Sequence, residues 1–342
     1  MKVVTFGEIM MRLTPPGHLR FGQTRTFDIS FSGAEANVAV SLARFGMDAE
    51  FITRLPANDL GDACIMFLRQ YGVGTSGIVR GGDRLGVYFY EIGAMQRPGR
   101  VIYDRDGSAA ASLERGMLDW DAVLADAGWF HWTGITPAIS ESLSEVCLDG
   151  VRAASGRGLV VSCDLNYRSK LWKWGKEPED IMPELFKYCT VAVVSEDHIA
   201  RMLGIRLPDT DAGSGRDDER RFRAVTKKLV DRYPRLETVA FTNRKSRSAS
   251  HNSLSGMLLN SGKLYTSPTY EMTHIVDRLG SGDAFTAGLI YGLVTTGDPQ
   301  YSLNFAAASA CLNHGILGDF NAVTAAEVEE LMSGDASGRI SR

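Results

Sequence analysis

Short apolar runs alternate with longer segments of helical spacing along most of the chain, and this alternation limits the fold more than any other feature. The runs lie at residues 3–6, 51–54, 129–133, 159–164, 191–194 and 238–242. Because they are largely apolar rather than apolar at every second position, they predict strands that are buried on both faces. Such strands alternating with helices are typical of α/β proteins. The sequence therefore predicts a doubly wound, mostly parallel sheet with helices on both faces.

Two segments interrupt the alternation, at about residues 12–31 and 84–107. The first is punctuated by prolines and glycines, and the second contains two runs of aromatic and β-branched residues around a turn. We expect both insertions to form small strands outside the main sheet, as a β-sheet lid on a single domain that spans residues 1–342. Because a sheet of few strands rarely buries its own face, we also expect the lid to pair with a second copy in a homodimer.

The composition argues against several functional classes. The 342 residues carry 37 Lys and Arg against 41 Asp and Glu, so no overall positive field attracts nucleic acid. No apolar run approaches the roughly 18 residues of a membrane span, and the first residues lack the features of a secretory leader. The five cysteines include no C-x-x-C pair, which is typical of thiols in a reducing compartment. We expect a cytoplasmic protein without nucleic-acid or membrane partners, and a solvated insertion at residues 208–219.

The strongest local signal is a glycine-rich turn at residues 277–283, ahead of a long apolar helix. Small residues at Gly280, Ser281 and Gly282 let backbone N–H groups point into open space at the helix N-terminus, which favours an anion such as a phosphoryl group. Asp283 would lie beside this anion hole, where a carboxylate can orient a substrate hydroxyl and accept its proton. The alternative is that Gly282 and Asp283 only cap the helix.

Two familiar nucleotide-binding motifs are out of place or absent. Residues 72–77 match G-x-G-x-x-G but follow a predicted helix, whereas a dinucleotide-binding fingerprint follows a strand. The sequence contains no G-x-x-x-x-G-K-[ST] motif. We therefore expect any nucleotide to bind at a site of another type. A reductase stays an alternative, although no dinucleotide-binding fingerprint supports it.

Residues 277–285 resemble the C-terminal signature of the ribokinase-like (PfkB) carbohydrate kinases, and residues 32–37 resemble the N-terminal sugar-binding motif of that family. The resemblance runs over nearly the whole chain and implies the ribokinase-like α/β fold. Within the family, residues 103–109, 133–138 and 164–168 resemble the 2-keto-3-deoxygluconate kinases in particular. The resemblance implies that ATP, with Mg²⁺, phosphorylates the 6-hydroxyl of 2-keto-3-deoxygluconate.

The resemblance also implies a role for each matching residue. The catalytic group is Asp283, with an anion hole formed by Gly280, Ser281 and Gly282. The substrate is bound by Gly33, Ala34, Glu35, Asn37, Tyr88, Tyr103, Arg105, Arg168 and Asp283. The nucleotide is bound by Asn166, Arg168, Asp277, Gly280, Gly282 and Asn313. Arg105 and Arg168 supply the cations that a sugar acid and a triphosphate require within an acidic protein.

Several of these residues have a second interpretation that involves no ligand. Arg105 stands between Asp104 and Asp106, as do many arginines in surface ion pairs. The tyrosines lie in predicted strands, where aromatic side chains usually pack against neighbours. Asn166 and Arg168 follow a predicted strand, where they could cap a loop instead of holding a ligand.

The sequence departs from the family pattern at three places. Arg12 stands near the position where kinases of neutral sugars carry an aspartate, which argues against a ribokinase or a fructokinase. His198 stands where an acid linked to the metal is expected, so the metal ligands stay open. Basic residues at 242–250 replace a glycine-rich loop, so the nucleotide preference stays open. The alternatives are a kinase of 2-keto-3-deoxygalactonate, fructose or ribose, and a non-catalytic sugar-binding relative.

Overall fold

The structure, a computed structural model, describes residues 1–207 and 215–334. Its strands are β1 Lys2–Phe6, β2 Met10–Thr14, β3 Asp28–Ser32, β4 Ala49–Ile52, β5 Arg54–Leu55, β6 Val79–Arg80, β7 Val87–Glu91, β8 Arg100–Asp104, β9 Ala127–Thr133, β10 Val160–Asp164, β11 Val191–Val194, β12 Thr238–Ser246, β13 Asn252–Asn260, β14 Lys263–Thr266 and β15 Tyr270–Met272. Its helices are α1 Ala34–Arg44, α2 Asp59–Gln70, α3 Trp120–Val123, α4 Thr136–Ile139, α5 Glu141–Gly156, α6 Pro178–Phe186, α7 Glu196–Leu203, α8 Gly215–Arg232, α9 Ser281–Thr295, α10 Pro299–Asn313 and α11 Ala325–Met332. Residues 208–214 of the predicted insertion lie outside the described residues.

The main sheet follows the order β14–β13–β12–β11–β10–β9–β1–β4 within the described residues, and β15 pairs with β13. The strands from β4 to β12 in this order are parallel. The remaining strands β13, β14 and β15 add an antiparallel edge. The prediction of a mostly parallel sheet is confirmed.

Helices cover the sheet on both faces, and each face has its own apolar core. One core contains side chains of α1, α9 and α10, and the other contains side chains of α5, α6, α7 and α8. The central strand β1 contributes to both, because successive side chains of a strand point to opposite faces. Val3 packs in the first core and Val4 in the second. This explains why the central strands are apolar throughout, and it confirms the doubly wound arrangement.

The second sheet has the order β3–β2–β7–β8 and is built from the two insertions that interrupt the β/α alternation. Its inner face carries a small apolar cluster that includes Met10, Tyr88 and Tyr90. Its outer face leaves Ile29 and Ile102 exposed at 63% and 54% of their surface. The lid therefore has one face turned to the protein and one apolar face left open.

Helix α9 is apolar on nearly all sides, as expected for a helix inside the core. It packs against α10 at two glycines. A Cβ atom on Gly288 would lie 2.8 Å from the Cα atom of Ala306, and one on Gly292 would lie 2.4 Å from the Cα atom of Ser302. Any larger side chain would push the two helices apart. This close contact fixes the axis of α9 and therefore the place of its N-terminus.

The five cysteines are free thiols, of which four are buried and Cys311 is half-buried. Among the described residues no helix combines the length and the hydrophobicity that a membrane span requires. The single domain over residues 1–342 stays a prediction, since the last eight residues lie outside the described part of the chain.

Candidate active site

A cleft of about 300 Å³ lies between the lid and the carboxyl ends of the parallel strands. This is the edge at which open α/β sheets bind ligands. Of the residues predicted from the sequence, the cleft is lined by Gly33, Ala34, Glu35, Asn37, Tyr88, Tyr103, Arg105, Asn166, Arg168, Gly280 and Asp283. The structure thus brings together residues from both sequence motifs, from the lid and from the segment that follows β10.

The N-terminus of α9 opens towards this cleft. Gly280 precedes the helix with a φ of +79°, and a Cβ atom there would lie 1.9 Å from the carbonyl oxygen of Asp319. Both the left-handed conformation and the close approach therefore require glycine. The first helical hydrogen bond runs from the N–H of Ala284 to the carbonyl of Gly280, at 2.8 Å. The amides of residues 281–283 precede that bond and are left for an anion.

Asp283 lies in the first turn of α9, with its carboxyl group buried in the floor of the cleft. The Asn37 side-chain amide, from α1, donates a hydrogen bond of 2.6 Å to its Oδ2 atom. Burial raises the pKa of Asp283 well above its ordinary value, although the Asn37 hydrogen bond opposes the shift. A carboxylate with a raised pKa accepts a proton more readily than an exposed one.

Arg105 reaches the cleft from the end of β8, and its partner is Glu8. Its Nε atom donates to Glu8 Oε2 at 2.8 Å, and Ser108 donates to the other carboxylate oxygen. The flanking Asp104 pairs instead with Arg84, at 2.8 Å on the surface. The structure therefore places Arg105 in the cleft rather than in a surface ion pair with its sequence neighbours. Its guanidinium lies 5.6 Å from the ring centroid of Tyr103.

The segment after β10 brings a second arginine into the cleft. Asn166 has a φ of +31° and donates its backbone N–H to Asp164 Oδ1 at 3.1 Å. Burial raises the pKa of Asp164 to about 7, and the charge of Arg168 opposes the shift. Burial also lowers the pKa of His198 to about 4, with Arg168 adding to the effect. His198 is therefore neutral near pH 7.

Glu35 lines the cleft but directs its carboxylate into the protein. That group accepts hydrogen bonds from the hydroxyls of Thr133 and Thr136, at 2.7 and 2.5 Å, and from the Thr133 backbone N–H. A Cβ atom on Gly7 would lie 2.2 Å from this carboxyl group. The Glu35 carboxylate therefore joins the start of α1 to the ends of β1 and β9 beneath the cleft.

Two arginines lie beside the N-terminus of α9. The Nη2 atom of Arg244, from β12, donates to the Ser281 hydroxyl at 2.5 Å, and Arg278 donates to the Ser246 hydroxyl at 3.1 Å. Among the described residues neither guanidinium has a carboxylate within ion-pair distance. Burial lowers the pKa of Arg244 to about 10, and the charge of Arg278 adds to the effect. Two cations without a neutralising acid at a helix N-terminus are suited to an anionic ligand.

Residues 1–319 match the profile of the pfkB family carbohydrate kinases. The chain belongs to this family. It is similar to the 2-dehydro-3-deoxygluconokinase of Thermotoga maritima, whose crystal structure has a TM-score of 0.91 at 44% identity and covers 98% of this chain and 100% of its own. It is also 34% identical over 339 residues to the 2-dehydro-3-deoxygalactonokinase of Haloferax volcanii, with 98% of each chain covered. The 2-dehydro-3-deoxygluconokinase of Thermoproteus tenax is 28% identical over 343 residues.

The predictions of a PfkB carbohydrate kinase and of the ribokinase-like fold are therefore confirmed. Kinases of this family take a sugar substrate and ATP. The reductase and the non-catalytic relative are no longer needed as explanations of the sequence. The roles assigned to single residues stay predictions, supported by the way in which the structure gathers them.

Three residues that were predicted to bind nucleotide do not line the cleft: Asp277, Gly282 and Asn313. Ser281, which was predicted for the anion hole, does not line it either. Asp277 lies just before the α9 turn and forms an ion pair with Arg12, and burial and the nearby charge of Asp319 raise its pKa. Asn313 lies at the end of α10, where its side-chain amide is buried and has no hydrogen-bond partner among the described residues. Two residues to which the sequence assigned no role also shape this site, Glu8 and Asp319. Arg244, in contrast, belongs to the basic segment 242–250 that the sequence did single out. Glu8 carried a usable signal, because it comes directly after a buried strand at the ligand-binding edge of the sheet.

Proposed function

We propose that this PfkB kinase transfers the γ-phosphoryl group of ATP to the 6-hydroxyl of 2-keto-3-deoxygluconate, which is also called 2-dehydro-3-deoxygluconate. The observation that carries the proposal is the presence of two arginines, Arg105 and Arg168, in a cleft that also contains Asp283. A neutral sugar has no group that requires such cations, whereas a sugar acid has a carboxylate. The relatives in Thermotoga maritima and Thermoproteus tenax support the choice of substrate.

The sugar acid lies with its carboxylate towards Arg105 and its far hydroxyl towards Asp283. Glu8 holds the Arg105 guanidinium through a charged hydrogen bond, so the side chain is ordered before the substrate arrives. Tyr88 and Tyr103 offer ring faces and hydroxyl groups along the length of the sugar.

Transfer then proceeds by positioning and charge stabilisation. Asp283 accepts the proton of the attacking hydroxyl, whose oxygen forms a bond to the γ-phosphorus as the bond to the β-phosphate oxygen breaks. The amides of residues 281–283 donate to the oxygens of the transferring group, where negative charge is concentrated. Arg244 and Arg278 lie beside this site and compensate the charge of the remaining phosphates.

Magnesium fits this site as an ion held mainly by nucleotide phosphates. The described residues contain no group of three or more His, Cys, Asp or Glu side chains that could hold a metal alone. Mg²⁺ usually binds one or two carboxylates and the phosphates of its substrate. Asp164 would be the protein ligand. Its carboxyl group lies near enough to Asp283 that, besides burial, its charge raises the pKa of that residue, and a backbone hydrogen bond from Asn166 orients it. Bound Mg²⁺ would neutralise charge that develops between the β- and γ-phosphates.

The homodimer belongs to the same proposal. Ile29 and Ile102 leave the outer face of the lid apolar, and Phe27 packs edge-on against Phe89 on the same sheet, with ring centroids 5.8 Å apart. A second lid would cover this surface. We also infer a cytoplasmic enzyme, since all five cysteines are free thiols.

The test is ADP release by the purified enzyme with Mg·ATP and each of a panel of acceptors. The panel contains 2-keto-3-deoxygluconate, its galactonate epimer, gluconate, fructose, ribose and a blank without sugar. Selective turnover of the keto-deoxy acids supports the proposal, whereas turnover of a neutral sugar alone would refute the carboxylate role of Arg105. The galactonate epimer is the second candidate, because the Haloferax volcanii relative bears that name.

A further inference from the structure

Arg12, in the lid strand β2, is buried almost completely, with 1% of its surface exposed. Its Nη1 atom donates to Asp319 Oδ1 and its Nη2 atom to Asp277 Oδ2, both at 2.5 Å. Its Nε atom donates to the Thr14 hydroxyl at 2.8 Å, and its guanidinium lies 4.8 Å from the ring centroid of Tyr90. Every face of the guanidinium is therefore occupied by protein, and Arg12 does not line the cleft.

One of the two carboxylates orders the turn that leads to the anion hole. Asp277 Oδ1 accepts the backbone N–H groups of Arg278 and Leu279, at 2.7 and 3.2 Å. Its Oδ2 atom accepts the N–H of Gly318 at 3.2 Å, in addition to the Arg12 hydrogen bond. Asp277 therefore joins the α9 turn, the loop after α10 and the lid at a single carboxyl group.

The other carboxylate belongs to the residue on which the turn rests. The backbone of Gly280 packs directly against the carbonyl group of Asp319. Asp319 Oδ1 also accepts a hydrogen bond of 2.9 Å from the Tyr88 hydroxyl, which comes from the lid strand β7. Two lid side chains, Arg12 and Tyr88, thus contact Asp319. Arg12 also contacts Asp277 and so joins the two carboxylates.

Stability alone is a weak explanation for this arrangement. Burying a guanidinium and two carboxylates costs desolvation free energy that the ion pairs only roughly offset. The guanidinium is, however, a planar fork whose two ends fix the separation of two acids, which a flexible ammonium group cannot do. The arrangement is therefore better suited to holding two chain segments in place than to adding stability.

We propose that Arg12 is a positioning residue for phosphoryl transfer: it holds the anion-hole turn at a fixed place relative to the lid, and it touches neither substrate. The inference rests on the proposed kinase reaction. The turn carries the amides of residues 281–283, and a displacement of about 1 Å in such a site can lower the rate by about 10². Loss of Arg12 therefore acts on the phosphate side of the reaction. Tyr88 on the sugar side stays held, because its hydroxyl keeps a hydrogen bond of 2.8 Å with the Ser32 hydroxyl, so the binding of the sugar acid is nearly unchanged.

The experiment compares the wild type with Arg12→Lys, which keeps the positive charge but reaches only one carboxylate. We expect kcat to fall by about tenfold or more, with KM for the sugar acid within about twofold. We also expect binding of the non-hydrolysable analogue AMP-PNP, measured by calorimetry, to weaken by about fivefold or more. The calorimetry needs no turnover, so it tests the inference even if the proposed substrate is wrong.

The matched control is Arg97→Lys, because Arg97 also forms a lid ion pair with a buried carboxylate, Glu91, at 2.7 Å. That pair does not reach the α9 turn, so its loss should change neither kcat nor AMP-PNP binding. Equal losses in both variants, or normal kcat and AMP-PNP binding in folded Arg12→Lys, would overturn the proposal.

If Arg12→Lys does not fold, Thr14→Val tests the proposal instead, since it removes only the acceptor of the Arg12 Nε hydrogen bond. A fall in kcat without a change in sugar KM supports the proposal, and unchanged kcat refutes it.

Discussion

At the scale of single residues, the chemistry depends most on Asp283. Its carboxyl group lies beside the anion hole and, among the described residues, accepts one hydrogen bond, from Asn37. Asp283→Asn keeps the size and the acceptor of this bond but removes the base. We expect kcat to fall by about 10²–10⁴, with KM for the sugar acid nearly unchanged. Steady-state kinetics with the preferred acceptor measures both, and an unchanged kcat would exclude Asp283 as the base.

The same residue sets the pH dependence. Burial raises the pKa of Asp283 above its ordinary value, and only the deprotonated carboxylate accepts a proton. As the pH falls through this raised pKa, kcat decreases, and it does so at a higher pH than an exposed aspartate would cause. A profile of kcat against pH measures this limb. A fall in kcat that occurs only in the pH range of an exposed aspartate would contradict the assignment of Asp283 as the base.

Arg105 determines substrate class at the same scale. A hydrogen bond to a charged group contributes roughly 1.5–3 kcal/mol, so we expect Arg105→Gln to raise KM for the sugar acid by about 10–100-fold. The KM for ATP should stay within about twofold, because the substitution lies on the sugar side of the cleft. The control is Arg84→Gln, which removes the neighbouring surface ion pair with Asp104. Similar KM values for the sugar acid in the two variants would show that Arg105 does not bind the substrate carboxylate.

At the scale of elements, the N-terminus of α9 depends on two glycines with different roles. Gly280 has a left-handed backbone and no room for a Cβ atom, whereas Gly282 has no atom within 4 Å of that position. We expect Gly280→Ala to destabilise the protein by about 2–4 kcal/mol and to lower the melting temperature by several degrees. Gly282→Ala should leave the melting temperature unchanged, because the added methyl group meets no atom within 4 Å, and should lower kcat, because the substitution lies within the anion-hole turn. Thermal denaturation of both variants gives the comparison, and equal melting temperatures would contradict it.

The secondary-structure elements also show which features can be predicted from the sequence alone. The parallel strands and the α9 turn were predicted because their signals are local: an apolar run of four to six residues, or small residues before a helix. The antiparallel strands β13 to β15 were not predicted, because they complete an edge of the sheet and mix polar with apolar residues. The contact between Arg12 and Asp319 spans 307 positions of the chain, and no local pattern indicates such a pair. The same holds for Arg244 and Ser281.

At the scale of the whole molecule, the lid contributes to the site and also leaves an apolar face open to solvent. Its inner face contributes Tyr88, Tyr103 and Arg105 to the cleft, so the position of the lid decides whether the site is complete. A second lid packed on the outer face would restrain that position and remove apolar surface from water. The dimer is therefore expected to support the active site without contributing a residue to it.

The lid dimer predicts a specific effect of charge on the outer face. We expect the wild type to sediment at twice the chain mass of 37.3 kDa. Ile29→Asp and Ile102→Asp should each shift the enzyme to the monomer, because a carboxylate buried without a partner costs several kcal/mol. Met66→Asp is the matched control, since Met66 is an exposed apolar residue of α2, outside the lid. Sedimentation equilibrium decides the matter: a monomeric wild type, or a dimer that persists in both isoleucine variants, would exclude the lid as the interface.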